Sequence, residues 1–192
     1  MRWRTTGKDG RVIVVERARP ADAADVLRVH RAVLQERRWF ITEPDELTDT
    51  VEMKVAVIRE LTGANNCCFL VARVDGALVG MVIVQGGRLR RMRHVGKLEI
   101  YVLHEARGIG VGRALMSACV DWATHNPVIC KLGLNVFAHN ERAIGLYKAF
   151  GFEREGYRPR EYRLADGTWC DDVLMYRLCD TPPQEPWMAA FR

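Results

Sequence analysis

No uninterrupted apolar run in this chain of 192 residues approaches the roughly 20 residues needed to cross a bilayer. The opening MRWRTTGKDG also lacks the apolar centre of a secretion signal. Both absences set the expectation of a soluble, cytoplasmic protein with no membrane partner. The six cysteines (67, 68, 119, 130, 170, 179) form neither a CxxC pair nor a metal spacing with histidine, so no metal is expected. Most lie in apolar stretches, where a reduced cysteine behaves as a small hydrophobe, as suits a reducing compartment. No internal repeat or linker is visible. The net charge of +5 is modest and favours anionic ligands without arguing for nucleic acid. The single basic cluster, Arg88, Arg90, Arg91 and Arg93, has no stacking aromatics interleaved. It reads as a solvated loop, and no nucleic-acid partner is expected.

What is present is an ordinary globular make-up, 48% hydrophobic and 28% charged. The expectation is one domain over 1–192, with 1–10 as an N-terminal lead-in and 180–192 as a C-terminal tail in which Trp187 and Phe191 suggest docking. The chain is organised around residues 94–152. Lys97 to Leu103 alternates and is rich in β-formers, as a strand with a covered face would be. Arg107-Gly108-Ile109-Gly110-Val111-Gly112-Arg113 breaks that pattern, and helical spacing follows through Val111, Leu115, Cys119 and Trp122. Glycines between a strand and a helix allow a close backbone approach and leave the first helical N–H groups unpaired. Those donors lie at the positive end of the helix dipole, which predicts a phosphate site.

Two familiar phosphate loops are excluded. The dinucleotide pattern GxGxxG needs a glycine where Leu115 stands, and the nucleotide P-loop needs Lys-Ser/Thr where Arg113-Ala114 stands. Downstream, Leu132 to Phe137 reads as a strand and Asn140 caps a helix that Gly151 ends. Elsewhere the pattern gives a strand at 11–17, a helix from Pro20, a break at 37–44 and a helix at 47–61. Hairpins follow at 67–85, around Asp75-Gly76, and at 154–178, around 165–168.

The loop fits Arg/Gln-x-x-Gly-x-Gly/Ala through Arg107, Gly110 and Gly112. The second half supplies a strand asparagine, Asn135, then Asn140-x-x-Ala143-x-x-x-Tyr147, then Gly151-Phe152. In these two motifs the sequence resembles the GCN5-related N-acetyltransferase (GNAT) family, whose bacterial members include enzymes acting on small amines and amino acids. The resemblance implies an α+β fold with a mixed, mostly antiparallel sheet of about seven strands and about four flanking helices, an order the pattern above also gives. It implies acetyl-CoA as cosubstrate and transfer of an acetyl group to a small primary amine by direct attack.

The resemblance also assigns residues. The coenzyme would meet Tyr101, Val102 and Leu103, where the family's central strand bulges and offers a main-chain donor to the thioester carbonyl. It would meet the loop residues Arg107, Gly108, Ile109, Gly110, Val111, Gly112 and Arg113, and further on Asn135, Asn140, Arg142, Ala143 and Tyr147. Tyr147 matches the phenol that protonates the departing thiolate, and Glu99 is the candidate base, with His94 as the alternative. Trp39, Glu43 and Tyr162 are candidate substrate contacts. Alternatives are acetylation of a protein N-terminus or lysine, or an acyl-CoA sensor without turnover. A homodimer is compatible with the sequence.

Overall fold

A computed structural model describes residues 2–179; the tail at 180–192 lies outside the described residues. In chain order the elements are β1 (Arg2–Thr6), β2 (Val12–Arg17), α1 (Ala23–Leu34), α2 (Val51–Gly63), β3 (Cys68–Val74), β4 (Ala77–Gly86), β5 (Val95–Val102), α3 (Val111–Thr124), β6 (Lys131–Phe137), α4 (Glu141–Ala149), β7 (Glu153–Arg163) and β8 (Trp169–Leu178). The described residues thus hold eight strands where about seven were expected. The additional one is β1, formed by the segment read as a lead-in. It pairs with β2 from Arg2↔Glu16 to Thr6↔Val12. Nearly all its side chains are exposed, so it carries no apolar alternation to announce it. The second helix starts at Val51 rather than Leu47, because the Thr50 hydroxyl accepts the Met53 N–H and caps it there.

The strands form one sheet in the order β1-β2-β3-β4-β5-β6-β8-β7. Every neighbouring pair is antiparallel except β5 and β6, which run parallel. That parallel contact is short, spanning only Val95↔Lys131, Gly96↔Leu132 and Lys97↔Gly133. Beyond it β5 stays with β4 as far as Val102, and β6 stays with β8 as far as Phe137. The sheet is therefore two halves hinged at three residue pairs.

One face of the left half carries α3. Position 80 has no side chain and lies against Leu115 and Val111 of that helix. Met81, Ile83 and Gln85 alternate to the other face, under α1 and α2. The β6 start is fixed by a buried side chain. Asn126 donates to the Asn65 carbonyl at 2.8 Å, and its Oδ1 accepts from the N–H groups of Val128 (2.9 Å) and Ile129 (3.0 Å). Asn126→Ala would strand these backbone groups. It should lower the unfolding free energy by on the order of 2 kcal/mol in urea denaturation. A loss below about 0.5 kcal/mol would show that water replaces the amide.

Candidate active site

Where β5 and β6 part, β5 has a free edge. Val95 C=O accepts from Gly87 N–H, and Leu103 N–H donates to Val79 C=O, so odd-numbered residues address β4. The His94 carbonyl instead receives the Cys130 and Lys131 N–H groups, so even-numbered residues address β6. Ile100 and Val102 accordingly turn their main-chain groups into the gap. Tyr101 and Leu103, also expected to offer them there, turn theirs to β4. The β4–β5 register runs from Gly80↔Val102 to Gly86↔Gly96 without a shift. The expected bulge is absent from this strand, and the open donor arises from the parting of the strands.

At the head of the gap lies the glycine loop. Gly108 (φ 87°) and Gly110 (φ 112°) occupy the left-handed region, where a side chain is strained. Gly110 is the N-cap of α3 and makes no side-chain cap. Its carbonyl accepts from Ala114. The N–H groups of Val111, Gly112 and Arg113 in the first turn are left for a ligand. Arg107 is already engaged: its N–H donates to the His104 carbonyl at 3.1 Å. Its guanidinium forms two bonds to Glu36, at 2.6 and 2.5 Å, and its Nε donates to the Val102 carbonyl at 3.0 Å. Glu36 also accepts from Trp39 Nε1 at 3.2 Å.

Behind the loop, α4 packs on the start of α3, with Leu146 facing Gly112. The Asn140 side chain accepts from Ala143 N–H at 3.2 Å and so serves as helix cap. Arg142 is exposed on the same turn, and Arg113 lies over the Phe150 ring at 5.7 Å. Tyr147 is buried against Phe152, and burial raises its pKa above the usual phenol range, so it keeps its proton at neutral pH. On β6, Asn135 donates to the fully buried Asp172 at 2.5 Å, which orients the amide and leaves its oxygen as the acceptor end.

The other face of β5 lines a cleft of about 240 Å³ under α1 and α2. Its polar walls are His30, Lys54, Gln85, Lys97, Glu99 and Tyr101. Tyr101 donates to Glu99 at 2.7 Å and stacks on Phe40 at 4.5 Å. Burial, then the adjacent Glu99, raises the Tyr101 pKa, so the phenol stays a donor. Lys54, nearly buried, reaches Asp49 at 2.5 Å and His30 Nδ1 at 3.1 Å. Burial first, and Lys54 second, push His30 down to about 4, so its neutral ring accepts from the ammonium.

Of the expected substrate contacts, Trp39 and Tyr162 come together through two residues not foreseen. Trp39 meets His139 at 5.7 Å, His139 meets Phe137 at 5.6 Å, and Phe137 meets Tyr162 at 5.3 Å. Glu43 stands apart from this row, paired with Arg37 at 3.3 Å. His94 closes the hinge end of the gap through its carbonyl. In the arginine cluster, Arg88 pairs with Glu60 and Arg93 bonds Asn65. Phe137 lies two residues beyond Asn135 on the same strand and was legible by period two, whereas His139 lies in the turn after β6, where no periodicity announces it. His30 and Lys54 were legible only as polar residues on the inner sides of two helices.

Three unpaired N–H groups at a helix start, a free strand edge and a capped helix behind them fit a phosphate-ended ligand with a strand-like amide arm. Residues 32–152 match the Acetyltransferase (GNAT) family. An L-amino acid N-acetyltransferase of Escherichia coli is 33% identical over 109 residues, 57% of this chain and 67% of that protein. A GNAT-family acetyltransferase from Streptococcus pneumoniae superposes with a TM-score of 0.83 at 26% identity, over 87% of this chain and 99% of that one. A phosphinothricin acetyltransferase from Sinorhizobium meliloti in complex with acetyl-CoA gives 0.77 at 24% identity, over 95% and 94%, and speaks for the fold. The chain belongs to the GNAT family and is an N-acetyltransferase.

His30 ties this site to pH. Its folded pKa lies below the ordinary 6.5, so on acidification the unfolded chain takes up a proton before the folded one. The contribution is complete above about 6.5 and is lost as pH falls through about 4. His30→Asn keeps an acceptor for Lys54 and should flatten the decline of urea midpoints by about one proton's slope across that window. An unchanged slope would place the titrating group elsewhere.

Proposed function

We propose that this enzyme acetylates the primary amine of a small molecule, an amino acid or a related amine, by direct transfer within one domain of the cytoplasm. The observation that carries the reading is the gap between β5 and β6, with the Val102 N–H on its edge, the loop donors at its head and a small cleft beside it. Bound acetyl-CoA supplies an activated acetyl thioester. Val111, Gly112 and Arg113 hold its pyrophosphate by their N–H groups. Asn135 and the free β5 edge align the amide arm, much as an added strand pairs with a sheet edge. The Val102 N–H faces the carbonyl oxygen, where negative charge develops during transfer.

The amine enters from the cleft. Glu99 takes its proton, through water, as the new C–N bond forms and the C–S bond breaks. Tyr147 gives its proton to the departing thiolate; a buried phenol with a raised pKa still holds that proton at neutral pH. The buried thiols of Cys68, pushed up to about 12, and Cys119 are poor nucleophiles, which supports direct transfer over an acyl-cysteine route. The name of the 33% identical relative supports an amino acid as acceptor. A cleft of about 240 Å³ supports a small molecule over a protein terminus or lysine.

Thiol release from acetyl-CoA against amino acids, amines and short peptides tests this reading. Turnover with a small amine, falling about 10²-fold or more in Tyr147→Phe with little change in KM, is expected. Glu99→Gln should lower kcat by about 10-fold or more, most at low pH where fewer amines are free. Activity with peptides alone would move the acceptor to proteins, and coenzyme binding with no turnover would favour a sensor.

A further inference from the structure

The cleft beside Glu99 carries its charges in a fixed order. Lys97, Glu99 and Tyr101 alternate along β5 and enter it from one face, with about 7 Å of strand between successive side chains. Glu99 and Tyr101 lie at the end nearer Val102. Lys97 lies at the hinge end, directly across from Gln85 in the β4 register. Lys97 is exposed and pairs with no acid among the described residues, although Glu99 stands two places along the same face. Lys54 adds a second cation from α2, held by Asp49 and His30. The remaining wall is apolar: Val26, Val57 and Leu61 from the helices, and Phe69, Met81 and Ile83 from the sheet.

The Lys54–Asp49 pair cancels, which leaves a negative group near the point of transfer and a positive group away from it. We infer that the acceptor is an α-amino acid with an apolar side chain, its ammonium at Glu99, its carboxylate at Lys97 and Gln85, and its side chain on the apolar wall. This rests on the acetyl-transfer reading above and narrows it. A zwitterion answers both charges. A diamine or polyamine brings its second cation against Lys97, in a cleft whose apolar walls strengthen the repulsion. An amino acid amide keeps the amine and side chain but gives Lys97 nothing to neutralise. Lys97, a flexible point charge, follows the carboxylate without the fixed geometry an arginine fork demands.

The test compares L-leucine, L-leucinamide and cadaverine as acceptors at saturating acetyl-CoA, in the unaltered enzyme and in Lys97→Met, Lys97→Glu and Lys97→Arg. Lys97 is exposed, so these variants are expected to fold, and circular dichroism checks it. The unaltered enzyme should prefer leucine to both others by about 10-fold or more in kcat/KM, with the difference in KM. Lys97→Met should abolish the preference over leucinamide, Lys97→Glu should turn it toward cadaverine, and Lys97→Arg should restore leucine. Equal use of leucine and leucinamide would overturn the carboxylate subsite while leaving amine acetylation standing. So would Lys97 variants that slow all three acceptors alike. If none of the three is acetylated, calorimetry on the protein saturated with coenzyme A reads the same ranking. A preserved ranking would keep the subsite and sink the transfer reading, and equal binding would sink the subsite.

Discussion

Everything in this site follows from β5 and β6 pairing over three residues and then separating. Each strand remains committed to its own antiparallel neighbour, β4 or β8, and those ladders diverge. A strand edge inside a sheet leaves N–H and C=O groups that must find water or a ligand. In the proposed reading the coenzyme arm meets an edge that already lacks a strand partner, and a donor N–H at Val102 needs no particular side chain. The side chain at position 102 is consequently free to pack, while its N–H turns into the gap.

The Arg107–Glu36 pair couples this edge to the rest of the site. One guanidinium holds the carbonyl of Val102, the carboxylate at the end of α1 and, through it, the indole of Trp39. A half-buried bidentate pair fixes geometry more than it adds stability. Here it fixes the strand end, the glycine loop and the aromatic row relative to one another. Trp39, His139, Phe137 and Tyr162 come from the loop after α1, the end of β6 and β7. Three pieces of chain distant in sequence thus close one side of the site.

Much of this was legible in the amino-acid order. The strand–glycine loop–helix of 97–124 and the capped helix after Asn140 are local, so spacing and cap residues suffice to read them. The two hairpins announced themselves through Asp75-Gly76 and the 165–168 turn. What could not be read depends on partners far along the chain. β1 exists because β2 offers it an edge, and its own side chains carry no pattern. Nothing local to Arg107 shows that its guanidinium is held by Glu36, 71 residues away. Likewise, which of Tyr101, Val102 and Leu103 faces the gap depends on a register that a one-residue slip would invert.

The central claim is that an unpaired β5 edge and the first turn of α3 receive the coenzyme through their backbone. Amide hydrogen exchange resolved to single residues, with and without acetyl-CoA, tests it most directly. The account predicts new protection at Ile100, Val102, Val111, Gly112 and Arg113, with Tyr101 and Leu103, already bonded to β4, little changed. Protection spread evenly over Ile100 to Leu103, or absent from the α3 start while the coenzyme binds, would contradict it.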